Sequence, residues 1–139
     1  MRISSFTEAP ARPAFAQVVV GVAGALHLLT GVALLFAPAW FFAIIGTFPP
    51  FNRHYEGDLG AYLLPLGFGL IFAARAPARH KTLIGVAALA NLLHAFNHVY
   101  DAVIARAALG YWLRDTAPLL LLAALLVLAY RSLRSTTQG

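Results

Sequence analysis

His94, His98 and Asp101 lie four and three residues apart inside the apolar stretch from Thr82 to Ala105. On a helix that spacing stacks the side chains along one face. Two imidazoles and a carboxylate so arranged can ligate a transition metal, relay a proton or anchor a cofactor. Ionisable groups are expensive in a segment long enough to cross a bilayer, so their presence there marks a candidate site. Asn91 and Asn97 extend the pattern. At the helical pitch all five polar side chains fall within an arc of about 120°. A stripe this polar must line a bundle interior or a wet cavity, because lipid offers it no partners.

A second polar set, His54, Glu56, Asp58 and Tyr62, opens the next apolar stretch towards the N-terminus, with His54 and Asp58 four residues apart on a shared face. His27 lies in the first apolar run, at a depth similar to that of His94. If successive helices alternate in direction, these groups gather towards one end of the molecule, as inward-projecting ligands do in metal-binding bundles. The expected core of the site is His94, His98 and Asp101, completed by His54 and Asp58 around a copper, iron or zinc ion. In such a site Glu56 or Tyr62 moves protons, and Arg53 meets an anionic headgroup. A structural alternative stands beside it, since polar side chains also bind transmembrane helices to one another, and Asn91 and Asn97 suit that role.

Haem is the competing cofactor. His27 and His94 would ligate its iron from two sides, with Gly21, Gly24 and Gly31 making room for the flat ring. The same glycines also suit close packing between helices, and haem leaves Asp58 and Asp101 without a role.

The elements that must position these groups are helical. Of 139 residues, 60% are hydrophobic and 11% charged, more apolar surface than a soluble domain of this length can bury. Four spans emerge, at about 15–37, 55–74, 82–105 and 116–130, each near the roughly 20 residues needed to cross a bilayer. The expected fold is all-α, a single-domain bundle of four transmembrane helices. Pro65 interrupts the second span, while Pro118 falls in the first turn of the fourth, where a missing N–H is harmless and Asp115 or Thr116 can cap. Residues 75–81 read as a tight basic turn and 106–115 as a short loop. Arg2 and Arg12 precede a first run that is longer than a signal-peptide core, so that run reads as a retained helix.

Residues 38–53 carry Trp40, Phe41, Phe42, Ile44, Ile45, Phe48 and Phe51, too apolar for an ordinary loop. They read either as an interfacial or re-entrant lid over the bundle or as a simple aromatic anchor. Lys and Arg on alternate sides number Arg2, Arg12, Arg75, Arg79, Lys81, Arg131 and Arg134 against Arg53, Arg106 and Arg114. The positive-inside rule then puts both termini in the cytoplasm and the His-rich end outside. The basic residues punctuate apolar runs and share no single surface, so membrane lipid, and not nucleic acid, is the expected partner. The chain has no cysteine, which excludes thiolate metal sites and thiol catalysis.

The stretch Asn52-Arg53-His54-Tyr55-Glu56-Gly57-Asp58-Leu59-Gly60, followed by the paired His94 and His98, resembles a group of small, uncharacterised four-helix bacterial membrane proteins. That group is loosely similar to the DoxX-like superfamily. The likeness covers the second and third spans. It implies a four-helix bundle in a bacterial inner membrane and assigns no activity.

These readings converge on an integral membrane metal-binding protein, as an oxidoreductase acting on a lipophilic substrate that enters beneath the 38–51 segment or as a simple metal binder. The rival is a non-catalytic helix-packing subunit of a homo-oligomer or larger membrane complex, for which the Ala- and Gly-rich helices supply faces. A transporter would need a polar path through the cytoplasmic halves of the spans, and those are almost wholly apolar.

Overall fold

The computed structural model describes residues 13–133; Arg2, Arg12 and Arg134 lie outside the described residues. The helices in chain order are α1 (Pro13–Phe36), α2 (Pro38–Ile44), α3 (Arg53–Ala74), α4 (Lys81–Ile104), α5 (Leu109–Tyr111), a π-helical stretch (Trp112–Thr116) and α6 (Ala117–Ser132). The last three run on as one rod, so four helices are long and apolar enough to cross a membrane: Ala14–Phe36, Arg53–Ala74, Lys81–Ile104 and Leu109–Ser132.

Three spans lie within two residues of their expected limits. The fourth starts at Leu109, so the expected loop 106–115 is largely helix, and neither Asp115 nor Thr116 caps a helix start. Leu109, Tyr111, Trp112 and Leu113 extend the apolar rod, and the π-stretch explains how it survives Pro118. A proline within a helix removes one N–H and presses its ring on the carbonyl four residues back. The wider π-turn just before it, with Ala117 N–H bonded to Trp112 O, displaces those carbonyls.

The bundle is up-down-up-down. The packing of α1 on α3 is the most extensive, followed by that of α4 on α6 and α1 on α6, while α3 and α4 touch much less. The α1–α3 seam is set by glycines that let two backbones approach. A Cβ on Gly24 would meet Ile71 N at 2.8 Å and Gly67 O at 3.0 Å, and one on Gly60 would meet Gly31 O at 2.9 Å. Without a hydrophobic drive between helices in lipid, such close van der Waals packing is what holds them. The core continues through Val20, Ala23, Leu70, Ile84, Ala87 and Leu126.

Residues 38–52 fold back over one end of the bundle, here the aromatic end. Within them α2 packs on α1 and α3, and Arg114 Nη2 of the π-stretch donates to Thr47 Oγ1 at 2.8 Å. Asn52 then starts α3, its Oδ1 accepting from the N–H groups of His54 and Tyr55 at 3.0 and 3.3 Å. At the same end α4 closes in a Schellman turn, with Ala107 N–H on Ala102 O and Arg106 N–H on Val103 O. Arg106 holds the left-handed position of that turn at φ 48°, where glycine is the unstrained residue.

Two outcomes follow for stability in detergent or nanodiscs. Gly24→Ala and Gly67→Ala force α1 and α3 apart and cost about 1–3 kcal/mol each, read as a lowered unfolding midpoint. Gly57→Ala, where a Cβ meets nothing within 4 Å, leaves the midpoint unchanged or raised. Arg106→Gly raises stability by about 0.5–1 kcal/mol, and a loss on this substitution would mean that the Arg106 side chain carries a contact outweighing the backbone strain.

Candidate functional site

Polar side chains enter the bundle at two depths, and in the deeper layer both ring nitrogens of His27 and the Asn91 amide nitrogen are bonded. His27 and Asn91 are each 7% exposed. His27 Nδ1 lies 2.7 Å from Ala23 O, and because a carbonyl only accepts, Nδ1 carries the proton. Nε2 is then the acceptor for Asn91 Nδ2 at 3.3 Å, and the same amide donates to Ala87 O at 2.9 Å. The pair bridges α1 and α4 and spends both ring nitrogens of His27. Expected as a cofactor ligand, His27 has both ring nitrogens already engaged within the protein. The room expected for haem beside Gly24 and Gly31 is filled as well, by the backbone and Leu64 of α3. His27 and Asn91 are helix glue.

Nearer the aromatic end the polar groups are less satisfied. His94 and His98 stack edge to face with ring centroids 4.8 Å apart. His94 is exposed and His98 half-buried, with Nδ1 of His98 buried and without a hydrogen-bond partner. Asn97 Nδ2 donates to Asp101 Oδ2 at 3.2 Å. Opposite them runs α3, whose Gly69 faces Leu83 of α4 near the basic turn, where Phe72 also meets His80. By helical phase, the edge of α3 that carries Gly69 continues through Pro65, Tyr62 and Asp58. These three are exposed, Tyr62 at 79%. The side-chain approaches seen between α3 and α4 lie near the turn, and towards the aromatic end this edge of α3 is exposed; we read the space between the two helices there as a lateral cleft. Pro65, which has no N–H for the helical ladder, stands where the divergence begins.

The cleft gathers some of the expected residues and not others. By helical phase His94 and Asp101 lie on the edge of α4 that continues from Leu83, with His98 about 60° further round, and Asp58 and Tyr62 lie on the edge of α3 that continues from Gly69. His54 pairs with Asp58 at 3.4 Å in an exposed i,i+4 contact. Glu56, about 200° around the helix from Asp58, turns to the other side of α3 and away from the cleft. Arg53 is exposed in the first turn of α3. Among the described residues no group of three or more His, Asp or Glu side chains is arranged to hold a metal ion. The expected five-residue metal set of His54, Asp58, His94, His98 and Asp101 therefore shares a cleft without closing into a coordination shell, because the walls diverge and Asp101 is engaged by Asn97.

Two residues not read as site residues in the sequence also carry unbonded polar atoms. Thr116 is fully buried, and its Oγ1 has no partner; the hydroxyl of Tyr111 is likewise buried and unbonded. Tyr111 lies within electrostatic range of Asp101. The pairing of α4 with α6 fixes their level. At the basic end a Cβ on Gly85 would lie 2.9 Å from the Tyr130 ring, and Lys81 Nζ donates to Leu133 O at 2.8 Å. Followed along the antiparallel pair, that register brings His98 level with Thr116, and Asp101 level with the π-stretch beside Tyr111. The signal available in the sequence was the apolar run from Leu109, which makes Tyr111 and Thr116 helical and places them opposite the His stripe.

No protein-family model, curated protein or solved structure matches the chain.

The two layers differ in their response to substitution. Asn91→Ala strands a buried imidazole and lowers stability by about 1–3 kcal/mol. In a double-mutant cycle with His27→Ala, a coupling above about 0.5 kcal/mol is expected, and strict additivity would mean that the two side chains do not interact.

Proposed function

We propose that this is an integral membrane protein of a bacterial inner membrane, with both termini in the cytoplasm, that binds a lipophilic molecule laterally at the His94/His98 cleft. The distribution of Lys and Arg supports the orientation, and it puts the aromatic end outside. The observation that carries the binding reading is the stacked His94/His98 pair beside an exposed edge of α3. An exposed His94 and a half-buried His98 with an unbonded Nδ1 lie on a helix long and apolar enough to cross a membrane. Polar groups at that depth find no partners among lipid tails, and molecules that reach them laterally must first dissolve in the bilayer. Tyr62 and Asp58 on the opposite wall supply further polar contacts to such a guest.

A second reading has its own support in the His94 and His98 rings. Two imidazoles one helical turn apart form the paired-ligand unit of helical zinc sites. Under that reading a copper, iron or zinc ion takes both rings and completes its shell from the guest or from Asp58.

Imidazole NMR separates these readings in the purified full chain. Titration with 4-nonylphenol, an alkyl chain with one neutral oxygen, is expected to shift His94 and His98 saturably and to leave His80 at the basic turn unmoved. Linear shifts of all histidines alike would mean simple partitioning and would remove the binding reading. Stoichiometric zinc or copper retained through desalting, and lost in His94→Ala, would favour the metal. For orientation, the cysteine-free chain permits single substitutions: Ala108→Cys should react with an impermeant maleimide in intact cells and Ala78→Cys only after lysis, and the reverse pattern would invert the topology.

A further inference from the structure

We propose that His98, Tyr111 and Thr116 form a hydroxyl-recognition socket at the π-stretch, which takes the oxygen of a neutral lipophilic alcohol or phenol. The inference rests on the lateral-binding reading above and specifies the chemistry that the cleft would select.

Three buried polar atoms, on α4 and on the rod that packs against it, make no hydrogen bond: His98 Nδ1, Tyr111 Oη and Thr116 Oγ1. Thr116 is the decisive one. It is fully buried, and in a regular helix a threonine hydroxyl commonly returns its proton to a carbonyl one turn back. The π-turn Trp112–Thr116 displaces that carbonyl ladder and leaves the hydroxyl aimed at the interior without an internal partner. Leaving a buried polar group unbonded is costly, and such groups concentrate where a ligand satisfies them. π-Turns also recur at functional sites.

The donor set defines the guest. Thr116 and Tyr111 each offer an O–H, and His98 Nδ1 accepts or donates according to its tautomer. A hydroxyl, which both donates and accepts, satisfies either tautomer. A carboxylate or phosphate does not suit the region, because Asp101 acts electrostatically on Tyr111, and Asp115, one residue from Thr116, is already paired with Arg114 at 3.0 Å. His98 belongs to both surroundings: its ring stacks on His94 at the cleft, and its Nδ1 is buried. A guest entering from the bilayer therefore meets His94 first and the socket behind it.

The test compares 4-nonylphenol with nonylbenzene, which lacks only the oxygen, using the His94 imidazole shift as the readout in the full chain. Wild-type protein should bind 4-nonylphenol at least about tenfold more tightly than nonylbenzene. Thr116→Val and Tyr111→Phe should each erase most of that preference without changing nonylbenzene binding, whereas Thr116→Ser should keep it. Thr116→Val should also raise the unfolding midpoint without ligand, because it removes an unbonded hydroxyl. If Thr116→Val fails to fold, Tyr111→Phe and Thr116→Ser carry the test. Equal affinity for the phenol in wild type, Thr116→Val and Tyr111→Phe would overturn the socket and leave the cleft standing. Absence of saturable binding of either compound to wild type would overturn both.

Discussion

The hydrocarbon core of a bilayer contains no water, so every polar atom carried into it needs a partner from protein or ligand. This constraint separates the polar residues of the bundle into two classes. His27 and Asn91 satisfy each other and two backbone carbonyls, and they join α1 to α4. A layer above them, His98, Tyr111 and Thr116 keep buried atoms without partners. One molecule thus holds both a closed polar layer and an open one, and the difference between them is the basis for assigning structure to the first and binding to the second.

Backbone packing explains why the open layer lies where it does. Glycines bring α1 and α3 so close that an added Cβ would strike backbone, which fixes α3 against α1 along much of its length. Committed to that seam, α3 has little packing on α4, with Gly69 facing Leu83 near the basic turn and its edge exposed from Pro65 onward to Asp58. On the other flank, Pro118 is accommodated by a π-turn, and the same turn leaves Thr116 unbonded. The link from Arg114 to Thr47 then joins this distorted stretch to the aromatic segment across the end of the bundle.

Much of this was legible in the sequence. Long apolar runs with basic ends gave three of the four spans within two residues, because span length is dictated by membrane thickness. The phase of Asn91, His94, Asn97, His98 and Asp101 put five polar residues along one arc of α4, of which only Asn91 is buried while His94 and Asn97 are exposed, because phase does not say how far the neighbouring helices reach. Two things were not legible. Helical phase says which way a side chain points and not how far away the facing helix is, so Asp58 and His98 looked convergent although their helices diverge. The start of the last rod was missed because Pro118 and the polar Arg114-Asp115-Thr116 imitate a helix start, and a π-turn has no simple sequence signature. Gly24 and Gly31 suit either a cofactor's flat face or another backbone, and what lies against them in the fold is α3, which the sequence does not show.

The lateral opening between α3 and α4 is therefore the feature on which the functional account stands, and disulfide trapping in native membranes tests it most directly. Cysteines at Gly69 and Leu83, in contact near the turn, should cross-link rapidly under mild oxidant. Cysteines at Tyr62 and Ala90, the corresponding pair two turns further towards the aromatic end, should remain reduced. Equally rapid cross-linking of both pairs would contradict the account, since it would mean that the two helices stay together and the cleft is closed.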